Sequence, residues 1–216
     1  MKQPVNAKKM VLLAMLAAVS YLIVTFVRIP VVLFLKYEPK DVVVTISGFL
    51  LGPMASFVIS LVVSLLEMVT ISETGPIGCL MNLLSTCSFA CVAAAIYKRD
   101  HSLKGAVLGL ITGSIVMIAA MMLWNWLITP WYMNIPRQEV QALLIPAFLP
   151  FNALKAGFNT ALTLGLYKPL TVALRKTGLV PQSTSTAKSK KPGLYIIAAL
   201  LLITCILLLL ALQGKI

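Results

Sequence analysis

Seven apolar runs partition this 216-residue chain, with short polar stretches between them. They are Met10–Val27, Val42–Leu51, Met54–Met68, Ile77–Tyr97, Gly105–Ile128, Leu143–Leu174 and Leu194–Leu212. About 20 predominantly apolar residues make a helix long enough to cross the hydrocarbon core of a bilayer. The composition agrees: 60% of residues are hydrophobic and 11% charged, whereas soluble domains carry about 25% charge. The chain therefore reads as an all-α integral membrane protein. Val42–Leu51 is short for a crossing, so it is expected to tilt or to extend into the polar loop before it. Gly52-Pro53 separates it from the next run. Residues 1–179 make a six-span core. Val180–Gly193, VPQSTSTAKSKKPG, is a polar basic linker. Residues 194–216 form an extra C-terminal transmembrane helix. Its apolar run carries no charge and one mid-span polar side chain, Thr204. It is expected to be an accessory anchor that does not contact substrate.

The net charge of +12 invites a nucleic-acid reading, but the placement of the charges points to topology instead. Lys2, Lys8 and Lys9 precede the first span. Lys98, Arg99 and Lys104 lie between Ile77–Tyr97 and Gly105–Ile128. Lys168, Arg175, Lys176, Lys188, Lys190 and Lys191 lie toward or beyond the end of the sixth span. With an inside amino terminus all twelve are cytoplasmic. The other six are Arg28, Lys36, Lys40, Arg137, Lys155 and Lys215. Twelve against six follows the positive-inside rule, provided that Val42–Leu51 and Met54–Met68 count as two crossings. The first run has a basic start but no small-x-small cleavage site, so it is read as an uncleaved span.

Lys155 lies inside the sixth run, and Asn152 and Asn159 share its helical face. An ammonium at the bilayer centre costs about 2.5–3.5 kcal/mol even on the lenient insertion scale. Two readings of it stand. One is a functional site facing the protein interior; the other is snorkelling to the nearer interface. Five of the six acids fall on or near the outer side: Glu38, Asp41, Glu67, Glu73 and Glu139. The outer loop 34–41 alternates the sign of its charges between prolines. Asn125 near the outer end of the fifth span, Asn82 in the fourth and Glu67 at the end of the third have two readings each, a helix–helix hydrogen bond or a ligand contact. Asn125, Asn152 and Lys155 together suit a planar heteroaromatic ligand. Asparagine amides offer paired donor and acceptor, matching the carbonyl and ring-nitrogen edge of a flavin or pterin, and apolar helix faces enclose the ring.

Catalytic patterns are missing from the sequence: no Ser/His or Cys/His set, no HExxH and no phosphate loop. Without a Walker motif the chain cannot drive transport with ATP by itself. The four cysteines, Cys79, Cys87, Cys91 and Cys205, lie in or beside apolar runs, form no CxxC pair and meet only one histidine, His101. No metal site and no resident cofactor are expected. Ala14-x-x-x-Ala18, Gly109-x-x-x-Gly113 and Ala90-x-x-x-Ala94 let another helix approach closely. Intramolecular packing is the reading for the second and third.

Five stretches carry a resemblance. They are Leu35-Lys-Tyr-Glu-Pro-Lys-Asp41, Gly48-Phe-Leu-Leu-Gly-Pro53, Pro76-Ile-Gly-Cys-Leu-Met-Asn82, Asn125-Trp-Leu-Ile-Thr-Pro130 and Asn152-Ala-Leu-Lys155. Over about residues 8–177 the chain resembles the S components, the substrate-capture subunits, of energy-coupling-factor (ECF) vitamin transporters, and most of all their riboflavin-specific branch. The resemblance implies a six-helix core in the bacterial cell membrane, with a cytoplasmic amino terminus. It implies a vitamin site near the outer surface, lidded by the loop between spans one and two. Asn152 and Lys155 would hold the isoalloxazine edge with Asn125 opposite, and Lys36, Tyr37, Asp41, Glu67 and Asn82 complete the candidate binding set. Ala14 and Ala18 match the alanine motif that docks the transmembrane coupling subunit, which works with two ATPases. Riboflavin is the expected ligand, with FMN as a related flavin and folate or thiamine as the other vitamins to test. A structural or assembly subunit without a small ligand is the alternative of a different class. Two departures stand out: the seventh helix, and the bulk of Trp126 and Trp131 near the implied site.

Overall fold

In lipid every backbone polar group must be paired within the protein, which favours helices wherever the chain crosses. The computed structural model describes residues 7–33, 35–72, 74–176 and 192–213. It contains the helices α1 (Ala7–Phe26), α2 (Lys40–Leu51), α3 (Pro53–Thr70), α4 (Gly75–Thr86), α5 (Val92–Arg99), α6 (Leu103–Met133), α7 (Arg137–Leu143), α8 (Leu149–Lys176) and α9 (Pro192–Leu212). One π-helical turn, Cys87–Cys91, joins α4 to α5, and a second, Leu144–Phe148, joins α7 to α8. Six helical stretches are long and apolar enough to cross a membrane: Ala7–Phe26, Pro53–Thr70, Gly75–Arg99, Leu103–Met133, Arg137–Leu170 and Tyr195–Leu212. Helix α2 has 12 residues and rises about 18 Å at 1.5 Å per residue, short of a full crossing. It is packed in the bundle, with Val42, Val44, Ile46 and Phe49 buried.

The chain reverses between α2 and α3 at Gly52, whose φ of 96° lies in the left-handed region that glycine enters at little cost. Pro53 then opens α3, where its missing N–H is no loss. Glycine also sets a close contact of α6 with α5 and the turn before it. A Cβ on Gly109 would lie 2.7 Å from the carbonyl oxygen of Ala93, and one on Gly113 2.6 Å from that of Phe89. Ala90 and Ala94 are buried, and a Cβ on Gly48 of α2 would lie 2.7 Å from that of Ala94. Both small-residue motifs thus serve packing within the chain, as expected. Ala14 and Ala18, by contrast, lie on an exposed face of α1.

The stretch 34–41 differs from its expected form. Ile29–Val32 (β1) and Leu35–Tyr37 (β2) pair as an antiparallel hairpin, with Ile29 opposite Tyr37 and Val32 opposite Leu35. Helix α2 begins at Lys40 and takes in Asp41. Both charged residues are buried, at 2% and 0% exposure. Alternating charge does not reveal its ion partners; paired charges can sit inside. Asp41 also stands in the first turn of α2, where the helix dipole favours an anion.

Helix α9 is more than a separate anchor. It packs along α8 and reaches the hairpin. Cys205 lies against the bare side of Gly157, 2.5 Å from where a Cβ would stand. Leu201, Leu202 and Leu209 pack on a cluster holding Val31, Tyr37, Phe148 and Phe158. Gln213 Nε2 donates to Pro30 O at 2.8 Å. The linker 180–191 and Glu73 fall outside the described residues.

Overpacking a tight helix seam typically costs about 1–3 kcal/mol. Gly109→Leu and Gly113→Leu are therefore expected to lower the thermal midpoint of the purified protein. Gly165→Leu, which meets nothing within 4 Å, is expected to leave it unchanged. Equal midpoints for all three would refute the close α5–α6 seam.

Candidate ligand cleft at the hairpin end

At the hairpin end of the bundle the ends of α1, α3, α4, α6 and α8 diverge around a cleft of about 790 Å³, its open mouth included. The hairpin and its flanks supply Arg28, Leu35, Lys36 and Glu38. Helix α3 supplies Glu67, α4 supplies Met81, Asn82 and Ser85, and α6 supplies Met121 and Asn125. Helix α8 contributes Phe151, Asn152 and Lys155. Met81, Met121 and Phe151 give apolar surface among these polar groups, the mixture that holds a heteroaromatic ring.

Six charges of this region pair with one another. Lys40 bonds Glu67 and lies 3.0 Å from Glu38. Arg28 reaches Glu38 at 3.3 Å and donates to the Ile71 carbonyl at 3.1 Å. Lys155 pairs with Asp41 at 3.1 Å. Arg28, Lys40 and Lys155 thus face Glu38, Glu67 and Asp41, and Lys36 is a further cation of the lining. Burial makes each pair mutually dependent, because removing one partner leaves a desolvated charge costing about 3–5 kcal/mol. Asn82 donates to the second oxygen of Glu67 at 2.8 Å, the helix–helix bond considered for both residues.

Lys155 is 6% exposed and is held inside the bundle, which excludes snorkelling. Its ammonium has three donors. One goes to Asp41 and one to Ser85 Oγ at 3.0 Å, which leaves the third for the cleft it lines. One helical turn earlier, Asn152 donates its amide N–H to Phe148 O at 2.8 Å. This fixes which way the amide points, and Asn152 Oδ1 is left buried without a partner. A buried orphan acceptor costs about 1–3 kcal/mol. On α6, Asn125 Nδ2 donates to Met121 O at 2.8 Å, and its Oδ1 accepts from Thr129 at 3.0 Å.

Six of the eight candidate binding residues line the cleft: Asn125, Asn152, Lys155, Lys36, Glu67 and Asn82. Tyr37 and Asp41 lie behind it. The Tyr37 ring packs on Phe158 with centroids 4.9 Å apart, and its hydroxyl donates to Asn159 Oδ1 at 3.0 Å. Burial, together with nearby Asp41, pushes the pKa of that hydroxyl up and keeps it a donor. Trp126 and Trp131 are absent from the lining; Trp126 lies under the Arg137 guanidinium at 5.1 Å and Trp131 is exposed. Sequence reasoning did not single out Ser85, Met81, Met121 or Phe151. These residue types are common in any membrane helix, so only their convergence marks them.

Comparison with known proteins follows the same line. The family model of the ECF transporter substrate-specific component matches residues 8–167. The riboflavin transporter RibU of Staphylococcus aureus (strain TCH60) is 28% identical over 178 residues, covering 78% of this chain and 93% of its own. The riboflavin transporter FmnP of Bacillus subtilis (strain 168) is 26% identical over 163 residues, covering 69% and 85%. A solved S component of a bacterial ECF transporter superposes with a TM-score of 0.63 at 28% identity, covering 78% of this chain and 98% of the other. The cleft lies within the matched span, whereas α9 lies beyond the family match. From its first helix through most of α8, this chain belongs to the family of substrate-specific (S) components of ECF transporters.

Proposed function

We propose that this chain captures riboflavin from the outer side of the bacterial cell membrane for ATP-driven uptake. The observation that carries the reading is the pair on α8: the unpartnered Oδ1 of Asn152 beside the uncommitted N–H of Lys155. One acceptor and one charged donor, a helical turn apart, match the adjacent N–H and C=O of a cyclic imide, the edge that a flavin ring carries. The names of the relatives support the same ligand. An ammonium aimed into the cleft also disfavours a cation such as thiamine.

The basic residues support an amino terminus on the cytoplasmic side. Lys8, Lys9, Lys98, Arg99 and Lys104 gather at the bundle end away from the hairpin, and cytoplasmic loops carry the excess of Lys and Arg. The hairpin end then faces outward, with the hairpin as lid. Ala14 and Ala18 on the exposed face of α1 suit close approach of another helix. We assign this face to the coupling subunit, which is driven by two ATPases.

Purified protein is expected to carry a flavin absorbance, or to take it up on adding riboflavin. Protein that remains colourless with riboflavin, or prefers folate or thiamine in competition, would overturn the reading. Asn152→Ala is expected to weaken riboflavin binding by about 1–3 kcal/mol, the worth of one buried hydrogen bond in a site that cannot otherwise satisfy it; unchanged affinity would remove Asn152 from the site. Ala14→Trp and Ala18→Trp are expected to abolish uptake and co-purification with the coupling subunit while leaving vitamin affinity intact. Normal uptake in both variants would refute this docking face.

A further inference from the structure

Lys155 does not take its position alone. Its counter-ion Asp41 is fully buried and lies outside the cleft lining. Asp41 accepts from Lys155 at 3.1 Å, from Thr86 Oγ1 at 2.7 Å and from Asn159 Nδ2 at 3.3 Å. Asn159 is also fully buried. Its amide is used at both ends, the nitrogen toward Asp41 and the oxygen toward the Tyr37 hydroxyl. Turning the amide over would set its oxygen against a carboxylate, so the orientation is fixed by charge. Tyr37 belongs to β2, the strand whose Leu35 and Lys36 line the cleft. A continuous buried chain therefore runs from the hairpin through Tyr37, Asn159 and Asp41 to the ammonium of Lys155.

We infer that Asp41 and Asn159 are positioning residues that couple the seating of the β1–β2 hairpin to the orientation of Lys155 in the ligand cleft. The inference rests on the reading that Lys155 meets the ligand only for its consequence in binding; the coupling itself exists without ligand. When Tyr37 seats, Asn159 is held, Asp41 is held by Asn159 and Thr86, and the ammonium keeps one N–H toward the cleft. When the hairpin lifts, Asn159 loses its acceptor-side partner and Lys155 is less well fixed. A ligand that engages Lys155 stabilises the seated hairpin by the same path, since coupling between sites is reciprocal.

The test uses the full chain in lipid nanodiscs. Tyr37→Phe removes only the hydroxyl and keeps the ring on Phe158. Asp41→Asn combined with Lys155→Met removes the ion pair without leaving an unpaired charge, and so guards against misfolding. Without ligand, both variants are expected to speed amide exchange of residues 29–37 on the order of tenfold, as for groups sharing one hydrogen-bond network, while exchange in α6 stays as in the parent. Hairpin exchange that is unchanged in the Asp41→Asn/Lys155→Met variant, which alters no hairpin residue, would overturn the inference. With riboflavin, Tyr37→Phe is expected to raise the dissociation rate on the order of tenfold, and to have no effect once Asp41 and Lys155 are replaced. Equal factors in both backgrounds would also overturn it. If the parent protein fails to bind riboflavin while the hairpin exchange shifts as described, the flavin reading falls and the coupling stands.

Discussion

The buried ion pair between Lys155 and Asp41 organises this molecule. A lone ammonium in a bilayer is expensive, and so is a lone carboxylate at 0% exposure. Each makes the other tolerable, and Ser85, Thr86 and Asn159 complete their hydrogen bonds. The pair fixes α2 against α8 and α4, and it draws the start of α2 down into the bundle. The hairpin follows, because only two residues separate β2 from α2. A cleft beneath the hairpin results, with one N–H of Lys155 and one oxygen of Asn152 left to address whatever enters.

Around this pair Arg28, Lys40, Glu38 and Glu67 form a second cluster of ion pairs. Glu38 is shared by Arg28 and Lys40, and Glu67 by Lys40 and Asn82. Such a lining is polar enough to orient a ligand. The family match covers the helical core from α1 through most of α8. Helix α9, beyond the family match, adds a side wall: Cys205 fills the space beside Gly157, and Gln213 bonds the hairpin at Pro30.

Much of this was legible in the sequence. Lys155 announces itself by cost, and its i−3 and i+4 asparagines by periodicity. The apolar runs gave the membrane class, and the small-residue spacing of Gly109 and Gly113 gave a helix seam. Partners distant along the chain were not legible. Asn159 and Asp41 are 118 residues apart, and no spacing rule connects them, so Asp41 read as an outer-loop ligand contact and not as a buried counter-ion. Nor do side-chain patterns reveal the π-helical turns at Cys87–Cys91 and Leu144–Phe148. Each inserts one residue into an otherwise regular helix, shifting the face that later residues present. The docking of α9 was hidden for another reason: a uniformly aliphatic helix shows no preferred side, and its contact is set by the bare flank of Gly157.

The central claim is that Asn152 Oδ1 and Lys155 read the imide edge of a flavin. Its most direct test compares riboflavin with riboflavin methylated at ring nitrogen N3, which keeps the ring and the chain but removes the imide N–H. The account predicts that methylation weakens binding about 5- to 150-fold, the worth of one buried hydrogen bond of about 1–3 kcal/mol, and that Asn152→Ala abolishes the difference. Equal affinity of the two flavins for the unaltered protein would contradict it.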